Sequence, residues 1–186
     1  ARARRVPAPG KALGMSVPPS KSIVGIDRLR DHLEDPKNDD QYVKLSEFRG
    51  DMETHHHVDW WLSEPWFRDL AHRVGPMGDM LEFLVDTAIE DAVEVGFDGV
   101  FIKTGFLSPC VYGYEIKDTS YLGHVCDYMD LPDVLLGVNA KLAPVLRDMD
   151  CRSFVSTELR VTEDGTGQLI DPTCRIASPP GGALLE

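Results

Sequence analysis

Residues 154–171 constrain the fold of this chain more than any other stretch. Phe154-Val-Ser-Thr-Glu-Leu-Arg-Val161 alternates in the manner of a strand, Glu163-Asp-Gly-Thr-Gly167 supplies a turn, and Gln168-Leu-Ile-Asp171 completes a second arm. An Asp-Gly step between alternating runs is a strong local hairpin signal. The turn lies near the midpoint between Glu158 and Asp171, so pairing of the arms can set the two carboxylates side by side on one face. Two carboxylates flanked by Leu159, Val161, Leu169 and Ile170 repel, and each carries a raised pKa unless a cation neutralises them. Hard oxygen donors suit Mg²⁺, which takes one or two protein carboxylates and completes its shell with water and phosphate oxygens. The plain alternative is a pair of solvent-facing acids on an exposed hairpin.

Beyond Asp171 the chain reads Pro-Thr-Cys-Arg175. Strand alternation lets Thr173 and Arg175 share the face of Asp171. A metal ligand, a second oxygen and a guanidinium on one face suit a phosphate-bearing substrate, and Arg175 could stabilise charge on a transferred phosphoryl group.

Upstream, residues 1–20 are rich in Pro, Gly, Ala and Arg and read as an extended connection. Asp27–Glu34 has helical apolar spacing with Asp27 as a possible N-cap, and Gln41–Ser46 alternates like a strand. Helices are expected over about 58–74 and 133–147, and strands at 80–85, 94–102 and 110–117. The aromatic run Trp60 to Phe67 is expected to be core. Strands, helix and strands again, without βαβ alternation, indicate an α+β fold with antiparallel sheets. No G-x-G-x-x-G supports a Rossmann reading.

The 186 residues can bury a substantial core. A formal net charge of −12 argues against a general nucleic-acid binder, which needs a broad basic face. No apolar run approaches the ~20 residues of a membrane helix. The basic start lacks the apolar stretch of a signal peptide, so a soluble cytoplasmic protein is expected. Cys110, Cys126, Cys151 and Cys174 form no close pairs in sequence and read as reduced structural residues. His55-His-His57 could offer two alternating imidazoles to Zn²⁺, but with no third ligand at suitable spacing it reads as a polar loop.

The run from Glu158 to Gly165, followed by Leu169-Ile-Asp-Pro-Thr-Cys-Arg175, resembles the C-terminal signature of the ATP-grasp enzymes. That superfamily includes D-alanine–D-alanine ligase, biotin carboxylase and glycinamide ribonucleotide synthetase. Its signature is an acid, a strand, an Asp-Gly-type turn and then Glu-x-Asn-x-Arg. Here Asp171 stands where Glu is usual and Thr173 where Asn is usual. Asp keeps the charge on a shorter arm, and neutral Thr is a weaker metal ligand. Other segments follow in family order. Tyr42-Val-Lys44 resembles the strand whose lysine contacts phosphates, and 47–54, with Arg49 and a single Gly50, resembles the loop that covers them. Phe83-Leu-Val-Asp86 is similar to the strand whose backbone binds adenine, with Glu94 or Glu90 placed for the ribose. Tyr112-Gly-Tyr-Glu-Ile-Lys117 resembles a stretch whose lysine reaches the phosphates. Lys11 to Pro18 is similar to the entry into the grasp domain, which suggests a fragment or an unusually short member lacking the N-terminal substrate domain.

The resemblance implies an ATP-grasp fold, two α+β lobes clasping a nucleotide: 1–20 a linker or truncated segment, 21–85 the N-terminal lobe and 86–186 the C-terminal lobe. It implies ATP and Mg²⁺ as cofactors, with Glu158, Asp171 and Thr173 as metal ligands. Lys44, Arg49, Val85, Asp86, Glu94 and Lys117 would bind nucleotide, and Arg175 and Lys117 would be catalytic. The reaction implied is activation of a small-molecule or peptide carboxylate as an acylphosphate for attack by an amine. A non-catalytic nucleotide-binding module, a small-molecule kinase and an interaction protein with a decayed grasp fold are the alternatives.

Overall fold

The computed structural model describes residues 13–46, 54–116 and 120–175. The chain divides into two compact units, one of residues 18–88 and one of 89–186 together with 1–17.

The first unit is a four-stranded antiparallel sheet in the order β1-β4-β2-β3 with helices α1 and α2. These are β1 (Ser20–Val24), α1 (Ile26–Leu33), β2 (Gln41–Leu45), β3 (His55–His57), α2 (Trp60–Val74) and β4 (Glu82–Thr87). Helix α1 is capped by Gly25 at φ 98°, not by Asp27, which lies in the first turn and pairs with Arg30 at 3.1 Å. A side chain at Gly25 would be strained at that φ. Leu29 and Leu33 lie one turn apart and meet Val43, Phe67, Leu70, Phe83 and Val85 in the core. Asp59 caps α2, accepting from the Leu62 backbone N–H at 2.9 Å. Of the aromatic run, Phe67 is buried but Trp61 is 82% exposed.

The three histidines form strand β3, not a loop. His57 is fully buried, and its Nδ1 and the Nε2 of His55 lie 2.7 and 2.9 Å from the buried Ser63 hydroxyl. His55 stacks on Trp66 and His56 on Tyr42, while His56 Nε2 meets Asp40 at 2.6 Å. The side chains of 55 and 57 therefore have protein partners, and β2 gains a neighbour along its edge.

This arrangement has a pH consequence. Burial, reinforced by His57 and His56, lowers His55 from its ordinary 6.5 to about 4. Burial also lowers His57, against the opposing pull of Asp39 and Asp59. Both are depressed in the fold, so the unfolded chain binds protons first. The stability they contribute is whole above pH 6.5 and drains as pH falls toward 4. With its partial exposure discounted, His55 accounts for roughly 2 kcal/mol. All three tryptophans, Trp60, Trp61 and Trp66, lie in this unit, so tryptophan fluorescence reports on it alone. The fluorescence melting temperature is expected to fall between pH 6.5 and 4.5, and a flat profile would contradict the account.

The second unit is a six-stranded antiparallel sheet, β10-β9-β5-β7-β8, with β6 paired to β5. Its elements are β5 (Ala92–Ile102), β6 (Gly105–Phe106), β7 (Cys110–Ile116), β8 (Ser120–Cys126), α3 (Asp133–Asp148), β9 (Ser153–Thr162) and β10 (Gly167–Thr173). Helix α3 presents Leu135, Val138, Leu142 and Leu146 at three- and four-residue spacing. They pack with Val95, Phe97 and Phe101 of β5, Val155 and Leu159 of β9, and Leu169 of β10. Asn139 is buried among them, its Oδ1 accepting from Thr157 at 3.1 Å. Residues 13–17 belong to this unit: Met15 enters its core, and the Ser16 carbonyl accepts from the Leu169 N–H at 2.9 Å. One face of the sheet is thus filled by α3, and strand alternation turns Glu94, Asp98 and Glu158 onto the other. Among the described residues no helix is long and apolar enough to cross a membrane.

Candidate functional site

The expected hairpin exists, and a β-bulge decides what it presents. Leu169 pairs with Leu159 toward the core, and the register then shifts so that Asp171, not Ile170, stands opposite Glu158. In a regular ladder Ile170 would face outward and Asp171 inward, because side chains alternate with period 2. The extra residue puts Asp171 and Thr173 on the face of Glu158 and Ser156. Directly opposed residues have Cβ atoms about 5 Å apart, which is within reach of one shared cation.

Three rows of residues cross this outer face. The first runs Thr173, Ser156, Asp98, Val111 and Val125. The second runs Asp171, Glu158, Gly96, Gly113 and Gly123. In the third, Arg160, Glu94, Glu115 and Tyr121 follow one another. The middle row is two acids followed by three glycines, so the sheet has a bare floor beside the carboxylate pair. A Cβ on Gly113 would collide with the Tyr121 hydroxyl, so the missing side chain admits that ring. At Gly96 a Cβ would meet nothing nearer than the Thr157 carbonyl at 3.9 Å, and that stretch of floor stays open. The resulting recess is small, with a cavity volume of ≈ 20 Å³, about the room one water needs, and is lined by Glu94, Gly96, Asp98, Glu115, Tyr121 and Glu158.

Asp98 is the residue that the sequence reading missed. It is 5% exposed; its Oδ2 accepts from Tyr121 at 3.3 Å, and its Oδ1 is buried with no hydrogen-bond partner among the described residues. Burial pushes its carboxyl above the ordinary range, while Ser156, Tyr121 and the Arg175 guanidinium pull it down and Glu115 opposes them. A buried carboxylate oxygen with no partner is costly unless something else satisfies it. The signal was available: Glu94, which the resemblance had put forward, shares a face with Gly96 and Asp98 by strand alternation.

The other expected residues are placed as follows. Glu94 is buried, pairs with Arg160 at 3.5 Å and lines the recess beside Glu158, whereas Glu90 is exposed before β5. Arg175 lies past the end of β10 instead of on the strand, yet its charge reaches Asp98. In the first unit, Lys44 Nζ lies 3.1 Å from Asp86 Oδ2, both side chains nearly buried. Val85 and Asp86 depart from expectation. They sit in the inner strand β4, paired on one side with Lys21 and Ser20 and on the other with Val43 and Tyr42. Their backbone groups are directed to neighbouring strands, so β4 does not offer them to an adenine ring. Arg49 and Lys117 lie outside the described residues.

The donor set fits a divalent cation of the Mg²⁺ type. It offers carboxylates opposed across one strand pair, an open floor beside them and a buried carboxylate oxygen in want of a partner. Among the described residues no group of three or more His, Cys, Asp or Glu side chains is placed to hold a metal ion. An ion that takes most of its shell from water and phosphate needs none.

No family model and no curated protein matches the sequence. Solved structures do. A phosphoribosylamine–glycine ligase from Thermotoga maritima superposes with a TM-score of 0.68 at 14% identity, over 94% of this chain and 47% of that one. The fold is the ATP-grasp fold of these neighbours. An L-amino acid ligase from Bacillus licheniformis gives 0.56 at 17% identity, over 93% of this chain and 39% of its own. An N5-carboxyaminoimidazole synthase from Aspergillus clavatus, solved with ADP and 5-aminoimidazole ribonucleotide, gives 0.53 at 15% identity over 90% and 42%. The chain therefore spans less than half the length of these three ATP-grasp neighbours. Identities this low establish the fold alone.

Proposed function

We propose that this chain is the nucleotide-binding part of an ATP- and Mg²⁺-dependent ligase. The enzyme would activate a carboxylate as an acylphosphate for attack by an amine or similar nucleophile. The observation that carries the reading is the Glu158–Asp171 pair, opposed across a bulged hairpin beside an open, glycine-floored recess. Three structural neighbours bear on it: two are ligases, and the third was solved with ADP.

In this reading Glu158 and Asp171 hold Mg²⁺, with Thr173 as a weaker third donor. Mg²⁺ would neutralise phosphate charge and fix the geometry of phosphoryl transfer. Arg175, which already acts on Asp98, steadies the acylphosphate or the substrate carboxylate. Lys44, held by Asp86, is assigned to phosphate, as are Arg49 and Lys117. Glu94, locked by Arg160, is assigned to the ribose. Adenine is not assigned to the backbone of Val85 and Asp86, which is engaged in the sheet. No nucleophilic side chain is required, and the enzyme's contribution is positioning and charge neutralisation.

The test is ADP release from Mg²⁺-ATP across a panel of small carboxylates, each with and without amines. Release that requires both an acid and an amine supports the ligase. Release with a single acceptor and a stable phosphorylated product would make the protein a small-molecule kinase. Nucleotide binding with no release in any combination would leave a binding module and overturn the enzymatic reading.

A further inference from the structure

Cys110 and Cys126 are 16 residues apart in sequence but stand directly opposite one another on β7 and β8, with sulfur atoms 3.9 Å apart. Both are free thiols. Opposed residues of an antiparallel pair have Cα separations of about 4.5 or 5.5 Å, both within the roughly 4.4–6.8 Å window of a disulfide. The sulfurs need only close to about 2.05 Å, which side-chain rotation supplies without moving the strands. We propose that Cys110 and Cys126 form a reversible dithiol–disulfide site that exchanges with low-molecular-weight disulfides of the glutathione class. The proposal is independent of the nucleotide reading.

Environment assigns the two sulfurs different parts. Cys126 is partly exposed, whereas Cys110 is fully buried, and burial with Cys126, Asp127 and Asp130 pushes its thiol up to about 12. Cys126 attacks first. Its thiolate displaces one glutathione thiolate, which takes up the proton Cys126 lost, and a mixed disulfide remains on Cys126. Cys110 then yields its proton and attacks the Cys126 sulfur, expelling the second glutathione as a thiol. Two protein thiols are oxidised and one glutathione disulfide is reduced to two thiols. Because a buried thiol of raised pKa is a slow nucleophile, the mixed disulfide accumulates before the ring closes.

Closure would staple the hairpin that carries Gly113, Gly123 and Tyr121, and would pin β8, the end strand of the sheet. A disulfide stabilises chiefly by restricting the unfolded chain. For a loop of this length, melting should rise by roughly 5–10 °C.

The experiment incubates the folded protein with oxidised glutathione, quenches by alkylation and maps the peptides. Cys151→Ser/Cys174→Ser serves as the reference background, because Cys151 is near enough to Cys174 to act on its thiol. The expected result is transient glutathione on Cys126, then a Cys110–Cys126 crosslink and the rise in melting temperature. Both the crosslink and the rise should be abolished by Cys126→Ser and reversed by dithiothreitol. A mixed disulfide that never resolves, a crosslink formed only in denaturant, or an equal melting response in Cys126→Ser would overturn the proposal.

Discussion

Phe97→Ala is expected to destabilise the C-terminal unit by about 3–5 kcal/mol. Phe97 has no exposed surface and sits in the middle of β5. Its ring meets Phe106 and Tyr128 edge-on at centroid distances of 5.2 and 5.8 Å, so truncation removes both contacts as well as buried area. Close packing leaves little room for collapse: a Cβ on neighbouring Gly99 would already come within 2.7 Å of the Phe97 ring. Glu94, Gly96 and Asp98 flank Phe97 on the opposite face of the same strand, so loss of the ring loosens the floor of the recess. Urea unfolding followed by circular dichroism measures the effect. A loss below about 1 kcal/mol would mean that the sheet does not rest on this residue as described.

The features legible in the sequence share a physical character: each is written by local alternation or helical spacing. Leu135, Val138, Leu142 and Leu146 give α3 its stripe, and the Asp164-Gly165 turn with its alternating arms gives β9 and β10. Glu158 and Asp171 were identified from the turn's midpoint, but alternation counted from Leu169 would have sent Asp171 into the core. The bulge at Ile170 is a backbone irregularity, and no side-chain pattern announces it.

Features that depend on partners distant in sequence were not legible. Strand β8 is interrupted by Gly123 and exposes Leu122 and Val125, so its apolar residues follow no alternation, and it is stabilised by its ladder to β7. His55 and His57 look like loop polarity until Ser63, six residues beyond His57, supplies their common partner. Val85 and Asp86 resemble a nucleotide-binding strand in sequence, but only the register shows neighbours on both sides. The cysteines reveal their pairing only when β7 and β8 are laid together.

The second large effect is expected at the acid pair. Glu158→Ala with Asp171→Ala removes both carboxylates proposed to meet Mg²⁺, and ATP binding should weaken by at least 100-fold, about 2.7 kcal/mol or more. These side chains face away from the apolar core, and neither is fully buried. The fold should therefore survive, and an unchanged circular dichroism spectrum checks that it has. Thr173→Ala should cost less, since a neutral hydroxyl is the weakest of the three proposed donors.

Calorimetric titration of ATP into the wild-type protein and this double variant, each with and without Mg²⁺, tests the central claim most directly. The account predicts micromolar binding by the wild type that requires Mg²⁺ and is lost in the folded double variant. Binding that is indifferent to Mg²⁺, or equal in the two proteins, would contradict it.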